Sequence, residues 1–360
     1  YTLAMLGFGV GGILFGRLVD RFGIVRPVFV AVIALGLGYI AAAGAASLWQ
    51  LALAYGLLIG VGSAATFGPL IADISHWFLR RRGTAVAICA SGNYVAGTIW
   101  PPVVQHFIAT EGWRATHTGV GLFCISTMLP LALALRRTAP PPRHEAAADA
   151  VTPQGTLGLS PGALQALLAV AGLACCTAMA MPQAHIVAYC GDLGYGVARG
   201  AAMLSLMLGF GIVSRIGSGW IADRLGGLAT LLLGSALQGV ALLLYLGFNG
   251  LTSLYVISAL FGLFQGGIVP SYAIIIREYF SPEEAGTRVG IVLMATLVGM
   301  ALGGWMSGEI FDLTGSYRAA FANGVAWNVL NGSIVVWLLA RRRRLAPAYP
   351  PPLSSRSNDS

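Results

Sequence analysis

Eleven apolar runs divide this chain, near residues 1–16, 27–46, 50–75, 84–109, 117–135, 161–190, 199–221, 228–248, 252–276, 287–310 and 319–340. Most reach the ~20 residues that a helix needs to cross a bilayer. None alternates as a barrel strand does. In hydrocarbon every backbone N–H and C=O must be satisfied within the segment, so runs like these have one regular solution, the α-helix. Hydrophobic residues make up 57% of the chain and charged residues 9%. A soluble domain carries about 25% charged residues. A water-soluble core is thereby excluded, and lipid is the partner that covers the apolar surface.

The charges lie between the runs. Arg17, Arg21 and Arg26 follow the first run, and Arg80 to Arg82 the third. Arg136, Arg137 and Arg143 follow the fifth, Arg224 the seventh, and Arg341 to Arg344 the eleventh. Arg277 and Arg288 flank the turn after the ninth. The alternate connections are sparser in charge, and Ala43–Ser47 and Phe248–Leu251 carry none. Under the positive-inside rule the arginine-rich turns are cytoplasmic, and the first run enters from outside. The net charge of +8 is therefore a topology signal and not a nucleic-acid surface. Every basic residue is arginine and lysine is absent, as expected of a GC-rich bacterial genome and hence of a bacterial inner membrane. No cleavable leader is visible, and none is expected for a chain whose first residues already form a membrane run. Cys89, Cys124, Cys175, Cys176 and Cys190 lack metal-ligand spacing and read as small packing residues.

Gly16-Arg17-Leu18-Val19-Asp20-Arg21-Phe22-Gly23 returns as Gly219-Trp220-Ile221-Ala222-Asp223-Arg224-Leu225-Gly226. The pairs Pro69/Pro270, Trp77-Phe78/Tyr279-Phe280, Gly83/Gly286 and Gly112-Trp113-Arg114/Ser316-Tyr317-Arg318 follow in the same order at nearly the same shift. That series divides the chain into two related halves. We expect an N-terminal bundle over 1–136, a Pro- and Ala-rich cytoplasmic linker over 137–160, a C-terminal bundle over 161–345 and a disordered tail over 346–360. Related halves in a membrane chain point to a transporter with its site between them. The sixth run has no mate in the first half. The repeat thus predicts a first helix ahead of Tyr1 and twelve helices in all.

On these residues the chain resembles the major facilitator superfamily, whose signature is the Gly-x-x-x-Asp-Arg-x-Gly turn between its second and third helices. Within it, the chain resembles the monocarboxylate transporter and oxalate–formate antiporter branch. The residues that carry this are Trp77-Phe78-x-Arg80-Arg81-Arg82-Gly83-x-Ala85-x-Ala87, Ser91-Gly92, Gly97 and Arg215. The resemblance implies an all-α fold of two pseudo-symmetric six-helix bundles, with eleven helices visible here. It also implies that Arg215 pairs with a substrate carboxylate. Two positions depart from the branch. Gly211 stands where mammalian-type members carry Asp, and Ala295–Val298 lacks the lysine of the oxalate branch. One cation suits one carboxylate, so a monocarboxylate is expected.

Arg215 lies eight residues from Asp223, ~12 Å along a helix and near mid-membrane. An unpaired guanidinium costs several kcal/mol there. Gly12 is its repeat mate, so the fold itself does not call for a cation. Met181, His185 and Tyr189 share one helical face, with Gln183 nearby and Pro182 able to bend the helix. Gln265 and Tyr272 are seven apart and share a face if their helix is continuous, although Gly266, Gly267 and Pro270 make it easy to bend. Asn93 and Tyr94 complete the candidate binding set of Arg215, Tyr272, Gln265, His185 and Asn93. Asp20, Arg21, Asp223 and Arg224, with Arg17, Asp73 and Arg81, form a candidate gate at the arginine-rich ends. Asp73 and Glu309 are the acids available to a coupling proton. No nucleophile–base pair, phosphate loop or metal cluster is visible, so neither an enzyme nor a cofactor is expected. Gly7-x-Gly9-x-Gly11-Gly12 lies inside a membrane run, where small residues allow close helix packing. The reading is a secondary transporter of a small organic anion by alternating access. Efflux of an amphiphilic solute and a transport-inactive sensor or fragment are its alternatives.

Overall fold

The computed structural model describes residues 1–77, 82–136 and 157–345. Residues 137–156 of the expected linker and the whole tail lie outside the described residues. Among the described residues the regular structure is all helical. The first half comprises α1 (Thr2–Phe22), α2 (Val25–Ala43), α3 (Leu48–Leu53), a π-helical segment (Ala54–Gly60), α4 (Val61–Ala64), α5 (Gly68–Trp77), α6 (Arg82–Glu111) and α7 (Trp113–Ala134). The second half comprises α8 (Pro161–Asp192), α9 (Val197–Leu225), α10 (Gly227–Gly247), α11 (Leu251–Gln265), α12 (Ile268–Tyr279), α13 (Pro282–Thr314) and α14 (Tyr317–Leu345). Taking α3 to α5 as one unit and α11 with α12 as another, the described residues form eleven helical stretches, in the order of the eleven apolar runs. Ten of the described helical stretches are long and apolar enough to cross a membrane.

The internal repeat is visible in backbone detail. Each copy of the signature ends on a glycine in the left-handed region, Gly23 at φ 73° and Gly226 at φ 82°. A side chain is strained at such a φ, which is why both copies need glycine. Each glycine N–H closes the helix before it, Gly23 onto Val19 and Gly226 onto Ala222, both at 2.9 Å. The third and ninth passes both break just ahead of a proline. The break falls at 65–67 before Pro69 and at Gly266–Gly267 before Pro270.

The two halves pack unequally. In the second half α8 lies against α9, α13 and α14, and 72% of its spanning window is buried. One cluster there runs from Leu164 through Met207, Phe261 and Tyr272 to Phe321. Buried polar groups tie it together. Gln238 donates to the Cys175 carbonyl at 3.2 Å, and Asn331 donates to Ser235 Oγ at 2.7 Å. In the first half the clusters are small, and the α7 window is 11% buried. The π-helical segment holds Tyr55, whose hydroxyl meets His117 Nε2 at 2.7 Å. Since the Trp113 carbonyl can only accept, His117 Nδ1, at 2.7 Å from it, carries a hydrogen, and Nε2 accepts from Tyr55 when the ring is neutral. Tyr55→Phe leaves that nitrogen without its donor. We expect a loss of about 1 kcal/mol, read as a lower melting temperature in detergent.

Three of the four glycines in the Gly7–Gly12 run of α1 perform the packing expected of them, while Gly12 has nothing within 4 Å of where a Cβ would stand. Gly7 faces the Gly56 carbonyl and Gly11 faces Val61, both in the third pass, while Gly9 faces Met294 of α13. The halves meet mainly along two seams, α1 with α13 and α6 with α9. Thr2 donates to the Ala301 carbonyl at 3.1 Å in the first seam. In the second, Gly97 lies against Leu208 and Gly209 against Thr98.

Candidate functional site

Arg215 projects from α9 into the second seam. Its Nη1 donates to the Ala90 carbonyl of α6 at 3.1 Å. Its Nε donates to the Gly266 carbonyl, at the break between α11 and α12, at 3.4 Å. The guanidinium carbon lies 4.5 Å from the centroid of the Tyr94 ring, also on α6. One cation is thus held by both halves. Tyr94 can reach it because residue 211, one turn earlier on α9, has no side chain. A Cβ there would sit 2.6 Å from a Tyr94 ring carbon. A guanidinium has five N–H donors, so two carbonyl bonds leave others for a ligand.

The break that presents the Gly266 carbonyl also places Gln265. This residue is buried, and its Oε1 accepts from Gln183 Nε2 of α8 at 2.9 Å. Its own Nε2 has no hydrogen-bond partner. A buried donor left unmade is costly, so a ligand acceptor would be stabilised there. Asn93, beside Tyr94, is exposed. Arg215, Tyr94, Gln265 and Gln183 therefore surround the α9–α11 junction, with α6 closing it from the first half.

Two other predicted residues lie elsewhere. Tyr272 is fully buried, and its hydroxyl donates to Asn331 Oδ1 of α14 at 3.2 Å. Its hydroxyl is thereby committed to α14 rather than left free for a ligand. Tyr272→Phe is expected to lower the melting temperature by orphaning Asn331, a loss of about 1 kcal/mol, while leaving the KM of transport unchanged. His185 donates from Nε2 to the Gly304 carbonyl of α13 at 3.0 Å, and its ring lies 5.8 Å from that of Tyr317. It marks the meeting of α8, α13 and α14. Tyr189 is buried against Tyr317 and Phe321.

Arg17, Arg21, Asp223 and Arg224 are exposed and make no ion pair with another described residue. Arg21 lies over Phe22, and Arg224 over Trp220 at 3.7 Å. Asp73 accepts from the Trp77 indole at 3.2 Å. The side chain of Asp20 and all of Arg81 lie outside the described residues. At the same end Glu278 accepts from the Gly227 N–H at 2.8 Å, capping α10 where the sequence showed only an acid beside Arg277. Glu309, the other acid considered for a proton, is exposed on α13.

Ten apolar stretches of membrane-crossing length among the described residues, two related halves and a cation where the halves meet define a multi-pass membrane transporter. The Major Facilitator Superfamily profile matches residues 1–251 and again 218–355, and the chain belongs to that superfamily. The chain is 29% identical to monocarboxylate transporter 13 of Rattus norvegicus over 310 residues, covering 84% of this chain and 70% of that protein. Over 339 residues it is 29% identical to human monocarboxylate transporter 11, covering 88% and 67%. It is 24% identical to the MFS-type transporter pynF of Aspergillus niger, covering 92% and 76%. It thus resembles the monocarboxylate branch. Its fold is that of the nucleoside transporter NupG, with TM-score 0.69, 15% identity and coverage of 94% and 90%. The peptide transporter POT shares it, with TM-score 0.70, 14% identity and coverage of 95% and 85%.

Proposed function

We propose that this protein carries a small organic anion, a monocarboxylate, across the membrane by alternating access, with Arg215 as the anion site. The observation that carries this reading is a half-buried guanidinium near mid-membrane, held by both halves and keeping N–H groups to spare. A carboxylate accepts from it more strongly than a carbonyl does. Gln265, next in the chain to the Gly266 carbonyl that Arg215 holds, keeps an unpartnered Nε2, and Asn93 is exposed beside Tyr94. Tyr272 and His185 act from behind, by fixing α12 and α13 against the second half. Between the seams and the arginine-rich ends, the exposed Arg17, Arg21, Asp223 and Arg224 are placed to close that end in the opposite state, with Asp20, Asp73 and Arg81 as their partners. The printed names of the relatives support the substrate class.

Uptake of labelled acetate, pyruvate and lactate into proteoliposomes tests the reading. Saturable uptake, competed by unlabelled monocarboxylates and insensitive to neutral amides of the same size, is expected. Equal competition by the amides would remove the anion from the proposal. An imposed proton gradient in the same vesicles decides whether a coupling proton drives accumulation.

A further inference from the structure

A cleft of about 370 Å³ runs between α6 and α7, lined chiefly by Trp100, Phe107 and Glu111 of α6 and by Thr116, Gly119 and Phe123 of α7. It begins where Pro101 and Pro102 remove two backbone N–H groups from α6. The Trp100 and Phe123 rings meet edge to face at that end, with centroids 5.0 Å apart. From there to Glu111 is ~16 Å of helix, close to the ~15 Å of hydrocarbon in one leaflet. Helix α6 starts in an arginine-rich turn at Arg82, so Glu111 stands at the opposite end. Trp113 begins α7 two residues later, and an indole settles at the level of the lipid headgroups. The nearest cation in the chain, Arg114, is engaged elsewhere. It lies over the Trp113 ring and donates to the Ala45 carbonyl at 3.1 Å. The middle of the cleft is unfilled, since a Cβ at Gly119 would meet nothing within 4 Å. An unfilled gap forfeits dispersion contacts, and in a bilayer the group at hand to restore them is an acyl chain.

We propose that the α6–α7 cleft is a lipid site, which seats one acyl chain of a phospholipid whose primary-amine headgroup pairs with Glu111. The cleft is apolar for the length of one leaflet and ends on a carboxylate at headgroup level. That carboxylate accepts charge-assisted hydrogen bonds from an ammonium group. A quaternary ammonium has no N–H to donate, and a headgroup with net negative charge is repelled. The seated chain supplies packing that α7 lacks, because only 11% of its spanning window is buried and the clusters of the first half are small. It fastens α7 to α6 in the half that coheres least by itself. The site goes beyond the reading of Arg215 and holds whatever the protein transports.

Lipid nanodiscs made of equal parts dioleoyl phosphatidylethanolamine, phosphatidylcholine and phosphatidylglycerol, loaded with the purified full chain, test the site. After gentle release into detergent, native mass spectrometry weighs what stays bound. The parent is expected to keep one phosphatidylethanolamine about two- to fivefold over phosphatidylcholine, the worth of one exposed ion pair, and to keep phosphatidylglycerol least. Glu111→Gln should still keep a lipid but bring the first ratio to one. Gly119→Phe and Gly119→Leu put a side chain into the cleft and should lose the lipid of all three kinds. Both have room to do so. They should therefore melt no lower than the parent in lipid-free detergent, and added phosphatidylethanolamine should raise the melting temperature of the parent but not theirs. Equal retention by the parent and both Gly119 variants would overturn the cleft as the site. A parent ratio of one, or a ratio that Glu111→Gln leaves unchanged, would overturn the pairing of Glu111 with the amine. A phosphatidylethanolamine carrying a diazirine on its acyl chain tests the parent by itself, however the variants fold. It is expected to label peptides from 100–123 above the rest of the lipid-facing surface, and uniform labelling would overturn the proposal.

Discussion

Arg215→Ala is expected to lower kcat/KM for monocarboxylate uptake by about two to three orders of magnitude. A buried charge pair that loses one partner costs about 2–5 kcal/mol, and every 1.4 kcal/mol is tenfold. The loss should fall on KM and on the maximal rate together. The same side chain binds the anion and ties α9 to the Ala90 carbonyl. Folding should survive, because the equivalent position in the first half is Gly12, with nothing within 4 Å of where a Cβ would stand. Size-exclusion behaviour and melting temperature in detergent therefore serve as the control. Arg215→Lys keeps the charge but loses the planar fork that spans Ala90 and Gly266, so it should recover only part of the uptake. Uptake by Arg215→Ala at the parental rate would move the anion site elsewhere. Gln183→Leu is the next test in size, because it removes the donor to Gln265 Oε1 and leaves a second buried amide atom unpaired.

Much of this arrangement was legible in the sequence because its causes are local. Run length fixes the passes. The duplicated signature fixes the halves, and its last residue in each copy, Gly23 and Gly226, adopts the backbone angle that only glycine takes freely. Arg215 stood out because a cation in an apolar run has few cheap explanations. What the sequence hid depends on register and on pairing across helices. Tyr272 was read as a donor to the ligand from its spacing to Gln265, and that spacing could not show that Asn331 of α14, 59 positions on, takes its hydroxyl. The π-helical turn at Ala54–Gly60 has the hydropathy of an α-helix and leaves no periodic trace over seven residues. Tyr94 could have been ranked higher from Gly211. A glycine one turn from a half-buried arginine leaves room for something, and the aromatic ring of α6 fills it. Gln183 and Gln265 are 82 positions apart, and no pattern within one helix reveals such a bond.

Gly262→Val is expected to be the most damaging single substitution outside the site. A Cβ at 262 would fall on the Met207 carbonyl oxygen of α9, which is helical backbone and cannot turn aside. The repeat makes this contact twice. Gly60, the counterpart in the third pass, faces the Ala4 carbonyl of α1, where a Cβ would approach to 2.6 Å. In each half the second and fourth helices of the superfamily fold thus touch backbone to backbone, which only glycine permits. Overpacking costs about 1–3 kcal/mol or more where the neighbours cannot yield, and in a domain of this size each kcal/mol moves the melting temperature by roughly 2–4 °C. Gly262→Val should therefore melt about 5–10 °C below the parent in detergent, since valine adds two further methyl groups to the clash. Gly60→Val should fall less, because the first half has small clusters that can shift, whereas Met207 and its neighbours belong to one continuous core. Gly217→Ala, with nothing within 4 Å, is the control and should melt with the parent. A Gly262→Val protein that melts with Gly217→Ala would mean that α9 and α11 stand further apart than a backbone contact, and the seat of the Gly266 carbonyl beside Arg215 would have to be redrawn with them.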